Sequence, residues 1–200
     1  SITIHLREDR RHINDNDLKL ISSIKSIPLN LEMASNSEML KIAIKHKPDF
    51  VCIVPEKRNE VTTEGGLNLK RYKNKLKSTI NTLNKYKIRT SLFINPTISD
   101  VIISKSLNAK CIELHTGKIS NQIKKNKKFA NHLKKIKNCA KHAKSLGLEV
   151  HVGHGIDYKT AKILSNVKEI EEFNIGHFII GESIIFGLKK TISRFKKILK

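Results

Sequence analysis

The chain has 200 residues, 38% hydrophobic and 28% charged, which suits one well-filled domain, leaves too little for two, and excludes a disordered composition. No apolar run approaches the ~18 residues of a membrane-spanning helix, and no charged-then-apolar leader is visible. The net charge of +21 is the electrostatic footprint of a nucleic-acid binder, but aromatic residues reach only 5%, leaving few stacking platforms for single strands.

The chain opens directly in an alternating run, Ile2-Thr3-Ile4-His5-Leu6, which predicts a strand over 2–6 and a trimmed start. A helix follows over 15–27, with Asn14 or Asp15 as N-cap. Short apolar runs over 29–33 and 50–54 predict the next two strands, separated by a helix over 37–46. The second of these runs is closed by Pro55. Residues 56–67 form a loop long enough to act as a lid or binding loop, and a Lys-rich helix follows to about residue 87. A strand over 90–95, a helix over 99–107 and a strand over 111–115 come next. One long helix is predicted over 119–146, with Gly147 as its stop. A strand over 148–153, a short helix after Asp157, a strand over 172–176 and helical sequence to Lys200 complete the chain.

This strict alternation implies parallel strands joined by right-handed helical crossovers. A doubly wound dinucleotide fold would carry a Gly-rich turn after its first strand. Here that strand ends in His-Leu-Arg-Glu-Asp. The barrel alternative places functional polar residues at the carboxyl ends of many strands, and the sequence has them: His5 and Arg7, Asn30 and Glu32, Glu56, Asn95, Glu113 and His115, His151 and His154, Asn174 and His177. Glu113 and His115 are two apart, as are Asn30 and Glu32, so each pair shares a face. Seven βα units fall one short of the usual eight, so the fold class read here is an α/β (β/α)8 TIM barrel, a single domain over 1–200, with the first unit missing.

Two glycine-framed turns, Gly153-His154-Gly155 and Asn174-Ile175-Gly176-His177, then follow barrel strands seven and eight. That is the common phosphate site of this fold, where free backbone N–H groups cradle an anion. Cys52, Cys111 and Cys139 are odd in number and read as reduced core residues of a cytosolic protein. No Cys/His cluster has zinc-like sequence spacing, and no Ser-His-Asp order is readable. A mouth rich in His and Glu suits proton transfer without a metal.

The motifs His5-Leu-Arg-Glu-Asp-Arg-Arg-His12, Asn30-Leu-Glu-Met-Ala34, Val54-Pro-Glu-Lys-Arg58 with Glu60-Val-Thr-Thr-Glu-Gly-Gly66, Glu113-Leu-His-Thr-Gly117, Gly153-His-Gly155 and Asn174-Ile-Gly-His177 together resemble the pyridoxine 5'-phosphate synthase family, in order and spacing, along the whole chain. The resemblance implies condensation of 1-deoxy-D-xylulose 5-phosphate with 3-amino-2-oxopropyl phosphate, with loss of water and phosphate and closure of the pyridine ring. It implies no cofactor, a cytoplasmic location and a homo-octamer. By position, His5 and Glu32 resemble the family's proton acceptors, His154 its proton donor and Glu113 its transition-state stabiliser. Arg7, His12 and Thr62 resemble the ligands of the deoxyxylulose phosphate, and Gly155, Gly176 and His177 those of the aminooxopropyl phosphate. The family's first strand, with its substrate-binding Asn and Asp-His pair, has no counterpart here. Competing readings are another phosphate-binding barrel of aldolase or isomerase type, which would show a strand-end Schiff-base Lys that this sequence lacks, a basic nucleic-acid-binding module, and an inactive remnant of the family enzyme.

Overall fold

The computed structural model describes residues 1–56 and 65–200. Among these residues seven parallel strands alternate with nine helices. The strands are β1 (Ile2–His5), β2 (Leu29–Met33), β3 (Phe50–Ile53), β4 (Arg89–Ile94), β5 (Cys111–His115), β6 (Glu149–Gly153) and β7 (Glu172–Asn174). The helices are α1 (Asp15–Ser23), α2 (Ser37–His46), α3 (Lys73–Lys85), α4 (Ile98–Ser106), α5 (Gly117–Lys124), α6 (Ala130–Ser145), α7 (Tyr158–Leu164), α8 (His177–Phe186) and α9 (Leu188–Ile198). Each strand pairs in parallel with the next, in the order β1 to β7. The sheet curls into a nearly closed barrel. Its edge strands β1 and β7 meet through their side chains, the Thr3 hydroxyl donating to Asn174 Oδ1 at 3.2 Å.

The core lies between the sheet and the ring of helices. Leu31, Val51, Ile53, Leu92, Ile94, Ile112, Leu114, Val150 and Val152 point outward from the strands and are fully or almost fully buried against the helices. Alternate strand residues therefore point into the barrel, and these are largely polar: Thr3 and His5, Asn30 and Glu32, Ser91, Glu113 and His115, His151, Asn174. The lysines ride the outer surface. On α6, Ile136, Cys139, Ala140 and Ala143 are buried while Lys134, Lys135, Lys137, Lys141 and Lys144 are exposed.

Local chemistry sets most boundaries. Asn14, Asn36, Thr97 and Asp157 each cap the N-terminus of a helix by accepting backbone N–H groups with their side chains, and Asn14 forms a full capping box with Asp17. The single helix expected over 119–146 is two. Asn126 adopts a left-handed conformation at φ 50°, the Lys127 N–H bonds the Gln122 carbonyl at 2.8 Å and the Asn126 N–H bonds that of Ile123 at 3.1 Å. This is a Schellman stop with Asn in place of Gly. The C-terminal helical region is likewise broken at Gly187, at φ 78°. The first helix ends at Ser23, ahead of the expected residue 27, because Ile24 turns to extended backbone on the way to Pro28.

Candidate active site

The carboxyl ends of β1, β2, β3, β5, β6 and β7 bring the acid–base residues together. His5 ends β1, and its register partner is Glu32 on β2. His5 Nδ1 lies 3.7 Å from Glu32 Oε2, and His5 Nε2 lies 3.5 Å from Glu56 Oε2. One imidazole thus stands between two carboxyl groups. Burial, with the positive charges of Arg7 and His12 nearby, lowers the His5 pKa to about 4, so the ring is neutral at neutral pH and can accept a proton. Burial raises the pKa of Glu32 well above the carboxylate range.

Glu113, inside the barrel on β5, is 3% exposed. Asn174 Nδ2 donates to its Oε2 at 2.7 Å, and the Cys52 thiol approaches the same oxygen at 3.6 Å. Burial and then the charge of Glu32 raise the Glu113 pKa. Two carboxyl groups that oppose each other's ionisation, one beside a neutral imidazole, can hold and exchange protons near neutral pH. The space that Glu113 occupies exists because residue 153 is glycine: a Cβ there would sit 1.8 Å from Glu113 Oε1.

His154 lies on the turn after β6 with φ 79°, a conformation that non-glycine residues rarely adopt. The following Gly155 has φ 77°. Thr116 holds this turn. Its backbone N–H donates to the Gly153 carbonyl at 2.9 Å, and its hydroxyl is shared between the carbonyls of Gly153 at 2.7 Å and His154 at 2.8 Å. The His154 ring packs 4.9 Å from that of His115. Burial, then the charges of His177 and Lys124, lower its pKa. The two glycine-framed turns stand side by side because Gly153 and Asn174 are register partners on β6 and β7. Gly176 is the N-cap residue of α8, and no side chain caps that helix. The first N–H groups of that helix are therefore without a side-chain cap.

Of the other residues singled out in the sequence, Arg7 is buried beside Glu56, with Nε 3.7 Å from Glu56 Oε1. His12 is exposed on the loop after β1, near enough for its charge to act on His5. Thr62 lies outside the described residues. Gly66 packs so closely on the end of β4 that a Cβ would lie 2.2 Å from the Asn95 nitrogen. Three further residues, to which the sequence assigns no role, support the site. Asn174 positions Glu113, Thr116 pins the His154 turn, and Glu56, 3% exposed at its side chain, accepts the Glu8 N–H at 2.8 Å while facing His5. Asn174 and Glu56 were visible as strand-end polar residues. Thr116 had only its place between His115 and Gly117 as a signal.

The whole chain, residues 1–200, matches the family described as pyridoxal phosphate biosynthesis protein PdxJ. It is 62% identical over 198 residues to the pyridoxine 5'-phosphate synthase of Pelagibacter ubique, covering 99% of this chain and 83% of that one. It is 48% identical to the protein of the same name from Zymomonas mobilis, covering 99% of this chain and 77% of the other. Against that of Bdellovibrio bacteriovorus it is 43% identical, covering 100% and 82%.

Proposed function

Because this chain belongs to the PdxJ family of pyridoxal phosphate biosynthesis proteins, we propose that it is a pyridoxine 5'-phosphate synthase, joining 1-deoxy-D-xylulose 5-phosphate to 3-amino-2-oxopropyl phosphate with loss of water and one phosphate. The observation that carries this reading is the His5–Glu32–Glu56 cluster facing Glu113 across the barrel mouth. Ring closure requires a proton to leave carbon next to a carbonyl or imine, and protons to reach departing oxygen. Glu32 and the neutral His5 imidazole accept protons. His154, on its strained turn, delivers them to the leaving group. Glu113, held by Asn174, stabilises the charge that develops between these steps. Arg7, His12 and Thr62 bind the deoxyxylulose phosphate. The N–H groups of Gly155 and Gly176, with His177, take the phosphate of the other substrate. No cofactor takes part, and the side chains of the mouth suffice for the acid–base steps.

The barrel's seam enters the same reading. β1 and β7 are both sheet edges, and the helices next to them expose apolar residues: Leu20 at 65% on α1, and Ile180 at 64%, Ile184 at 83% and Ile185 at 73% on α8. Such surface is uncommon without a cover. A further βα unit at the seam would complete an eight-stranded barrel and supply the remaining substrate contacts, and assembly into a homo-octamer in the cytoplasm would cover more of it. No helix among the described residues is long and apolar enough to cross a membrane.

The test is product formation. With both substrates present, pyridoxine 5'-phosphate and inorganic phosphate should appear in equal amounts, and neither should appear when one substrate is omitted. Phosphate release without ring formation would refute the assignment and favour a different phosphate-binding barrel enzyme.

A further inference from the structure

A second group of reactive side chains lies inside the barrel at the end opposite the mouth. Cys111 and Glu149 open β5 and β6 and are register partners. His151 is two residues further along β6, so it shares the inward face with Glu149. The Cys111 sulfur, a Glu149 carboxylate oxygen and a His151 ring nitrogen all lie within 4.8 Å of one another. Cys111 and His151 are buried, and Glu149 is partly open to solvent. The proposed reaction uses none of the three.

Thiolate, imidazole and carboxylate are the donors that zinc selects. Donors at about 2.0–2.3 Å from zinc stand roughly 3.3–3.8 Å apart in a tetrahedron. The separations here lie near that range: His151 Nε2 and Glu149 Oε1 are 2.8 Å apart, and all three donor atoms lie within 4.8 Å of one another.

The surroundings fit as well. His151 Nδ1 lies 3.8 Å from Glu172 Oε1, so a carboxylate stands behind the imidazole, as it commonly does behind metal-bound histidines. Arg89 engages Oε2 of Glu149, while Oε1 and His151 Nε2 share a 2.8 Å hydrogen bond that gives way to the metal when the imidazole carries its proton on Nδ1, towards Glu172. Ser91, the register partner of Cys111 on β4, is 7% exposed, and its hydroxyl faces the thiols of Cys111 and Cys52. With a thiolate, two carboxylates and Arg89, a doubly charged cation brings the cluster to neutrality.

We propose that Cys111, Glu149 and His151 bind one Zn²⁺ ion at the N-terminal end of the barrel, with a solvent oxygen beside Ser91 in the fourth position. On binding, the Cys111 S–H bond breaks, the sulfur donates its pair to zinc, and the proton leaves to solvent. The ion ties β5 to β6 beneath Glu113 and serves structure rather than the reaction.

Cobalt(II) is the probe. The reduced, chelator-treated protein is titrated with CoCl₂, then with ZnCl₂. One equivalent of cobalt should give a near-ultraviolet sulfur-to-cobalt charge-transfer band and intense tetrahedral visible bands, both removed by one equivalent of zinc. Cys111→Ser should abolish the charge-transfer band, and Cys139→Ser, on α6, should keep it. Glu172→Gln should weaken zinc binding by about 10–100-fold, as loss of a partner behind a ligating histidine does. Absence of the band in the unaltered protein overturns the proposal without recourse to any variant. A band that survives Cys111→Ser overturns it too.

Discussion

Gly153→Ala is a single-methyl test of how the barrel interior holds Glu113. The added Cβ would lie 1.8 Å from Glu113 Oε1 and 2.9 Å from its Cδ. Residue 153 is paired with both His115 and Asn174, so the backbone cannot retreat, and the carboxyl group must move. Moving it breaks the 2.7 Å bond from Asn174 and the Cys52 contact. Overpacking costs about 1–3 kcal/mol, and a buried polar group left unpaired costs about 1–3 kcal/mol more. The variant should therefore lose about 2–6 kcal/mol of stability. For a domain of this size that corresponds to roughly 4–24 °C in Tm. Calorimetry with matched denaturant titrations measures the loss. If the clash is the cause, Glu113→Ala in the Gly153→Ala background should restore part of it, so that the two changes are far from additive. A Gly153→Ala protein within ~0.5 kcal/mol of the parent, the range of an ordinary surface change, would refute the packing argument.

Thr116→Val removes the hydroxyl that holds two carbonyls of the His154 turn. It should cost about 1–2 kcal/mol and raise KM for the aminooxopropyl phosphate more than for the other substrate, as steady-state kinetics would show. Gly155→Ala forces a side chain into φ 77° with Ser120 Cβ only 3.2 Å away. Its affinity for inorganic phosphate, followed by NMR titration of backbone amides, should fall at least tenfold, while unchanged shifts at residues 155 and 176 on adding phosphate to the parent would remove the anion site from that turn. His5 sets an acid limit on stability. Its folded pKa, about 4, lies below the ordinary 6.5, so it contributes fully above pH 6.5 and that contribution, about 3 kcal/mol, is lost as pH falls from 6.5 towards 4. His115, also lowered to about 4, adds a slope in the same window. His5→Gln should therefore remove the His5 contribution from the pH dependence of unfolding in that interval, and an unchanged dependence would contradict the burial of the ring.

Much of this arrangement is legible in one dimension, because a parallel strand shows its inward face as every second residue. His5, Glu32, Glu113 and His115 could be placed at strand ends from alternation and turn chemistry alone. The two glycine turns were readable from their place after consecutive strands, although only Gly155, at φ 77°, needs the left-handed backbone that favours glycine, while Gly153 is required by the space that Glu113 fills. What alternation cannot show is which inward residues meet across a closed sheet. Asn174 and Glu113 are 61 positions apart, Thr3 and Asn174 171 apart, and both contacts depend on the curl of the sheet. The Cys111–Glu149–His151 cluster was hidden for the same reason, since its donors come from two strands and show no metal-binding spacing in sequence. The break between α5 and α6 was missed because Asn126 sits among lysines that favour helix, and a left-handed Asn stop is a weaker signal than Gly147.

The most direct measurement is turnover against substrate binding in Glu32→Gln. A general base at this position contributes about 10²–10⁴-fold, and the amide keeps the shape of the carboxyl group. The variant should therefore bind both phosphorylated substrates with near-parental affinity while forming pyridoxine 5'-phosphate about 10²–10⁴-fold more slowly. Parental turnover in a variant that binds both substrates would contradict the account of the barrel mouth as an acid–base site built around Glu32.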